Sequence, residues 1–246
     1  MLPPLYSAPN EHYEVHISRC LEKFDLVFPR FEKSAKRILS VVSDDDTFKS
    51  AFVQMIRFHD LGKLTKQWQN NLSSKNKKLP SHATVGAAFL YKSLPVGLRE
   101  PLSFAVAIHH TDRGLLGDNI EKPDVQAILE NISDTSGHII WHEAVTELSP
   151  EFFPMKKEIE ELNVYSLKNM ARGLRIWARG CNLLEQHRRR LQAALSHHIL
   201  KICDVSAATE RKEYEKQSDQ DYFGGWLMVE NIRDYVEKLR TKPLRG

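Results

Sequence analysis

Phe58-His59-Asp60-Leu61-Gly62-Lys63 closes a run in which Phe48, Ala51, Phe52, Met55, Ile56 and His59 recur at i, i+3, i+4, i+7, i+8 and i+11. That is the period of an amphipathic helix. His59 therefore ends a buried stripe, Asp60 follows it, and Gly62 stands where a helix is expected to stop. A His and an Asp pushed together into a core are costly to bury unless something binds them. Neutral imidazole and carboxylate are both good ligands for a borderline divalent cation. A helix C-cap with a satisfied His and a surface Asp is the alternative, and these six residues alone leave both open.

Working outward, 246 residues suffice for one large domain or two small ones. Hydrophobic content of 41% and charged content of 27% are ordinary for a soluble globular protein. A net charge of +3 permits nucleic-acid binding without arguing for it. Cys20, Cys181 and Cys203 are odd in number and lack CxxC spacing. A disulfide framework and a thiolate zinc site are therefore not expected, and a reducing compartment, the cytoplasm, is. Met1-Leu2-Pro3-Pro4 is not followed by a basic region and an apolar run, so no signal peptide is expected. No apolar stretch approaches membrane-spanning length.

Before the central stretch, Asn10 can cap a helix whose stripe is Ile17, Cys20, Leu21, Phe24, Val27 and Phe28. His12 and His16 lie one turn apart beside it, in line with Cys20. Phe31, Ala35, Ile38, Leu39 and Val42 predict a second helix after Pro29. Beyond the stretch, 65–72 predicts a short helix with Trp68 and Gln69, and 73–78 a basic surface loop. Pro80-Ser81 opens a helix with His82, Val85, Gly86 and Phe89 on one face. In the next helix Leu102, Ala105, Val106, His109 and His110 repeat the buried pattern. Val125, Ile128, Leu129 and Ile132 mark a short helix; Ile139-Ile140-Trp141 fits a helical turn or a short strand. Leu167, Met170, Ala171, Leu174, Trp177, Ala178 and Cys181 predict a long helix capped by Ser166, interrupted or covered by Arg188-Arg189-Arg190. Ala193, His197, Leu200, Asp204 and Ala207 share one face of the next segment. Residues 212–221 are polar, and Val229, Ile232, Val236 and Leu239 predict a terminal helix. No sustained period-two alternation, repeat or low-complexity linker occurs, so the expectation is one all-α domain over 1–246.

His16, His59, Asp60, His82, His109, His110 and Asp204 all fall at helix ends or on apolar stripes. One such residue is ordinarily a satisfied core side chain. Seven buried together without a metal would leave many donors and acceptors unpaired. Their order, His, His-Asp, His, His-His, Asp, resembles the HD superfamily of metal-dependent phosphohydrolases. The sharper similarity is to the CRISPR-associated HD nuclease of type I systems. His59-Asp60-Leu61-Gly62-Lys63 resembles its HD-x-GK motif, and Trp68-Gln69 its aromatic-Gln pair. His82, Ile108-His109-His110 and Asp204-Val205-Ser206-Ala207 follow in the family's order. The segment 111–142 matches no motif, and His12 competes with His16 for the first position.

The resemblance implies two divalent ions from among Mn, Co, Ni, Fe, Mg or Zn. His16, His59, Asp60 and Asp204 would hold one; Asp60, His82, His109 and His110 the other. A bridging carboxylate suits ions about 3.5–4 Å apart, which can activate a water against a phosphodiester. Lys63 is expected to contact the scissile phosphate or steady the leaving oxygen, or else to be a solvated Lys favoured by the helix dipole. Lys75, Lys77 and Lys78, and Arg188 to Arg190, could track a nucleic-acid backbone or simply be solvated. The implied activity is a nuclease acting on single-stranded DNA, or RNA, in CRISPR interference. An HD phosphodiesterase acting on nucleotides or cyclic dinucleotides is the alternative, disfavoured because Thr111-Asp112 follows the His-His and no GYP motif occurs. A non-catalytic HD binding module is a third. The related nuclease commonly shares its chain with an ATP-driven helicase. No GxxxxGK(S/T) loop occurs in these residues. A stand-alone subunit working with a separate helicase subunit and a guide-RNA complex is therefore expected.

Overall fold

Where the apolar period is strongest, the chain is helical. The computed structural model describes residues 2–40, 44–74, 79, 82–110, 132–154, 159, 162–210 and 226–241. Two short antiparallel strands, β1 (Tyr6–Ala8) and β2 (Glu11–His12), lead into α1 (Tyr13–Leu39). Then come α2 (Asp45–Phe58), a 3-10 turn at Leu61–Leu64, α3 (Lys66–Leu72), α4 (Ala83–Ser93) and α5 (Arg99–Ala107). After a second 3-10 turn, Glu143–Glu147, come α6 (Val164–Arg179), α7 (Leu183–Thr209) and α8 (Trp226–Thr241). The fold class is all-α, as the sequence predicts.

The two long helices α1 and α7 form the spine and run antiparallel. His16 near the start of α1 lies beside Asp204, Phe31 edges onto His198, and Gln192 donates to Ile38 and Leu39 carbonyls. That last pair of bonds satisfies carbonyls that the end of α1 would otherwise leave orphaned. Helix α2 packs on α1 through Phe24, Phe28, Phe48 and Phe52, whose ring centroids stand 4.6–5.3 Å apart along the contact chain. Buried aromatic surface on this scale is the main cohesive term between the two helices. Helix α5 lies against α4 and α7, α6 against α4, and α8 against α7 and α1. Among the described residues, no helix is long and apolar enough to cross a membrane.

Several local expectations change. Pro29 does not divide α1. A proline costs helix stability, but Phe28 before it and Ala35 after it are buried in one core, and that packing carries the helix through. Asn10 is not a helix cap; it takes φ +62° in the turn between the strands, a conformation Asn tolerates better than most residues. The cap of α6 is Asn163, whose side chain accepts from Ser166 N at 3.0 Å. Arg188 to Arg190 do not interrupt α6: the chain turns at Gly180, with φ +62°, and the three arginines lie in α7, with Arg189 over Trp177 at the end of α6. Segment 132–154 is mostly irregular, tied to the rest by backbone bonds such as Lys66 N to Ile140 O and His142 N to Leu64 O. Val42, the helix expected around Val125, and 212–221 lie outside the described residues.

Candidate metal centre

Helix ends converge on one buried point. His16 stands in the first turn of α1; His59 and Asp60 follow α2. His82 precedes α4, His109 and His110 follow α5, and Asp204 lies near the end of α7. Two glycines permit this convergence. A Cβ on Gly62 would stand 2.3 Å from His82 O, and one on Gly86 would stand 2.2 Å from Phe58 O. Gly62 is therefore required for close approach within the 3-10 turn, not as the helix stop its position suggested.

Asp60 lies at the centre, wholly buried. One oxygen, Oδ2, is 3.4 Å from His16 Nε2 and 3.5 Å from His59 Nε2. The other, Oδ1, is 3.1 Å from His82 Nε2 and 3.6 Å from His109 Nε2. Asp204 Oδ1 stands 3.3 Å from His16 Nε2 and 3.7 Å from His59 Nε2. His110 Nε2 is 2.5 Å from His82 Nε2. Two nitrogen or oxygen ligands on one ion of this kind, at a tetrahedral angle, lie about 3.4 Å apart. The Asp60 and Asp204 spacings fit shared coordination, while the approach of His110 to His82 is tighter than that.

The orientation of the rings fits too. His59 Nδ1 donates to Ile56 O at 2.7 Å, and His109 Nδ1 to Val106 O at 2.6 Å. A carbonyl only accepts, so Nδ1 carries the proton and Nε2 presents a lone pair to the centre. Those two Nε2 atoms and Asp60 Oδ1 are buried without a hydrogen bond. Unpaired polar atoms are costly in a core, and a cation is what this donor set would satisfy.

Electrostatics agree. Burial by itself would raise the Asp60 carboxyl, but His59 and Lys63, helped by His109 and His16, hold it well below the usual range. Asp204 behaves likewise: burial opposes ionisation, and His16 and His59 outweigh it. Burial drives His82 down to about 4, with Asp60 opposing only in part. His110 has an exposed edge, yet burial of the ring and its neighbours His109 and His82 push it well below its ordinary value. Ionised carboxylates beside neutral imidazoles are the protonation states metal ligation needs. For His16 burial lowers, but Cys20, Asp204 and Asp60 prevail, so the space between them favours positive charge.

Not every expected residue takes its expected place. His12 is exposed and stacks on Tyr6 at 5.0 Å, so His16 is the histidine that joins the cluster. Lys63 is not solvated. It is buried, with Nζ 2.6 Å from Asp60 Oδ2 and 5.7 Å over the Trp68 ring. Trp68 is core and lies edge-on to His82. Gln69 joins the N-terminal strands to the 3-10 turn, donating to Tyr6 O and Lys63 O at 2.8 Å each. Arg189 stands over Trp177 and pairs with Glu185, a structural role. Lys75, Lys77 and Lys78 lie outside the described residues. Two residues join the centre without having been expected there. Glu11 backs the cluster, its Oε2 3.3 Å from His16 Nδ1, and no pattern in the sequence marks it. Cys20 Sγ stands 3.6 Å from His16 Nε2; its only sequence signal is the one-turn spacing from His16.

Among solved structures, the CRISPR-associated Cas3 HD domain protein of Methanocaldococcus jannaschii superposes with a TM-score of 0.62, covering 81% of this chain and 100% of that one at 17% identity. The chain shares that protein's fold. Among curated proteins, the CRISPR-associated endonuclease Cas3-HD of Thermoproteus tenax is 30% identical over 98 residues. That match spans 40% of this chain and 38% of the relative's length. No protein-family model matches the chain. Among the described residues, two groups of histidine, cysteine and aspartate side chains could each hold an ion. One is His16, Cys20, His59 and Asp204; the other is Asp60, His82, His109 and His110.

Proposed function

We propose that this HD domain is a metal-dependent nuclease that hydrolyses phosphodiester bonds of single-stranded nucleic acid, mainly DNA, in CRISPR interference. The observation that carries this is Asp60, whose two oxygens face two different sets of histidine nitrogens. His16, His59, Asp60 and Asp204 would hold one ion, and Asp60, His82, His109 and His110 the other. Ions bound there would supply Lewis acidity, acidifying a water and offsetting the charge on a phosphodiester. The chain's own contribution is orientation. Ile56 and Val106 carbonyls fix the rings of His59 and His109. Lys63, ion-paired with Asp60, keeps that carboxylate ionised and aimed, which makes it a positioning residue for it. Trp68 beneath Lys63 closes that side to water. His16, His59 and His109 side chains are 0% exposed, whereas His82 is 13% and Asp204 14% exposed. With exposed His110, these two define the edge at which a phosphate would arrive.

The test is incubation of the purified chain with a panel of divalent ions and labelled single-stranded DNA, single-stranded RNA, blunt duplex and cyclic dinucleotides. Cleavage of single strands, loops and flaps is expected, falling as salt rises because phosphate contacts release counterions. Intact duplex should resist, and ATP should have no effect. A separate helicase subunit and guide-RNA complex would open duplex targets for it. Turnover of cyclic dinucleotides with none of oligonucleotides would replace the nuclease by a cyclic-dinucleotide phosphodiesterase.

A further inference from the structure

We infer that Cys20 is a thiolate ligand to the ion held by His16, His59 and Asp204. That sulfur makes this position selective for thiophilic divalent ions such as Zn, Co or Fe over Mg, an inference that rests on the proposed metal centre. Cys20 follows His16 by one turn on the inward face of α1 and is 0% exposed. Its Sγ and the ligand atoms of His16, His59 and Asp204 all lie within 4.8 Å of one another. A sulfur at its usual distance from such an ion and an imidazole nitrogen at its own, with a tetrahedral angle between them, are about 3.5 Å apart. The observed separation from His16 Nε2 is 3.6 Å.

A buried thiol near a histidine is not by itself a site. Here His59 Nε2, wholly buried without a hydrogen bond, faces the same space. Cys203, equally buried on α7, is the control: among the described residues it joins neither ligand group. Coordination releases the thiol proton to solvent as the sulfur–metal bond forms. The thiolate and the Asp204 carboxylate, with the shared Asp60 carboxylate, then offset the divalent charge, which favours binding in a buried setting. Soft sulfur prefers Zn, Co or Fe, whereas Mg prefers oxygen and gives up water reluctantly. The second group, Asp60 with His82, His109 and His110, offers only nitrogen and oxygen. The two positions of this centre therefore differ in metal preference.

Cobalt reads this directly. Chelated protein is titrated with Co(II) while the visible ligand-field bands and the near-ultraviolet sulfur-to-cobalt charge-transfer band are followed. Both should appear in wild type, and Cys20→Ser should lose the charge-transfer band while keeping ligand-field bands. Zn affinity of the first site should fall about tenfold or more in Cys20→Ser, in the range seen when groups around a ligand are lost. A Cys181→Ser/Cys203→Ser double variant, which leaves Cys20 in place, should keep the charge-transfer band. This second variant tests the inference even where Cys20→Ser does not fold. Ligand-field bands without charge transfer in wild type would overturn the thiolate and leave the metal centre standing. Absence of any cobalt bands would overturn the metal centre itself, and the thiolate with it.

Discussion

Gly86→Ala puts the geometry of the centre to a direct test. Gly86 lies in α4 one turn beyond His82, against the end of α2. An added Cβ would stand 2.2 Å from Phe58 O and 2.9 Å from His59 O, where ordinary contact is 3.4–4 Å. Both obstacles are backbone carbonyls, which cannot swing aside, so α4 must retreat by roughly 1 Å. Overpacking of this kind costs ~1–3 kcal/mol or more. Alanine returns at most ~1 kcal/mol of helix propensity. Because both obstacles are rigid the cost falls at the upper end of that range, so the net loss is about 2 kcal/mol, or roughly 4–8 °C in Tm for a chain of this size. His82 rides on α4, and its 3.1 Å approach to Asp60 opens by the same shift. That exceeds the ~0.2 Å tolerance of a ligand set, so the second ion should bind more weakly. Gly173→Ala is the matched control. Its Cβ would meet Tyr91 Oη at 2.0 Å, the far end of a half-buried side chain that can rotate away. Its Tm should stay within about 2 °C of wild type, propensity offsetting the displacement. Thermal melts and elemental analysis of metal-loaded protein measure both effects. A Gly86→Ala protein as stable and as metal-rich as Gly173→Ala would refute the close-approach argument.

Asp60→Ala removes the one carboxylate facing both groups. Cleavage should fall by orders of magnitude, and a folded variant cutting at near wild-type rate would sink the two-ion proposal. His110→Ala should lower metal content toward one ion per chain while the cobalt spectrum of the first site persists; unchanged stoichiometry with full activity would make His110 structural. His197, whose Nε2 is buried without a hydrogen bond, is driven down to about 4 by burial and by His109 and Lys201. Its unfolded value is higher, so the unfolded chain takes up the proton first. Stability should thus drain away as pH falls from about 6.5 to about 4, by up to ~3 kcal/mol. Denaturant melts of chelated His197→Gln should show a correspondingly flatter acid limb, and an unaltered limb would contradict the assignment. Asn163→Ala should destabilise by ~1 kcal/mol through loss of the α6 cap and Ser166→Ala by much less, with the reverse order restoring Ser166 as the cap.

Much of the helical frame is legible in residue order. Burying an apolar face requires a period of 3.6, so Phe48 to His59, Leu102 to Val106 and Ala193 to Ala207 declare their inward sides without a partner in view. The same periodicity makes His59 and Asp204 ligand candidates, with Asp60 drawn in as the neighbour of His59, because a polar residue on a buried stripe demands a partner. Other features depend on atoms distant in sequence, which no local pattern encodes. Pro29 stays helical because the core on both sides of it outweighs its local cost. Lys63 is buried because Asp60 and Trp68 surround it, and His12 is excluded because it falls on the solvent side of β2. Glu11 and Cys20 enter because the N-terminal strands and α1 carry them to the centre. The division of labour within Asp60, one oxygen to His16 and His59 and the other to His82 and His109, is decided by tertiary structure alone. Spacing along a helix constrains which face a residue occupies; only the packing of α1, α2, α4, α5 and α7 against one another sets which donors share an ion.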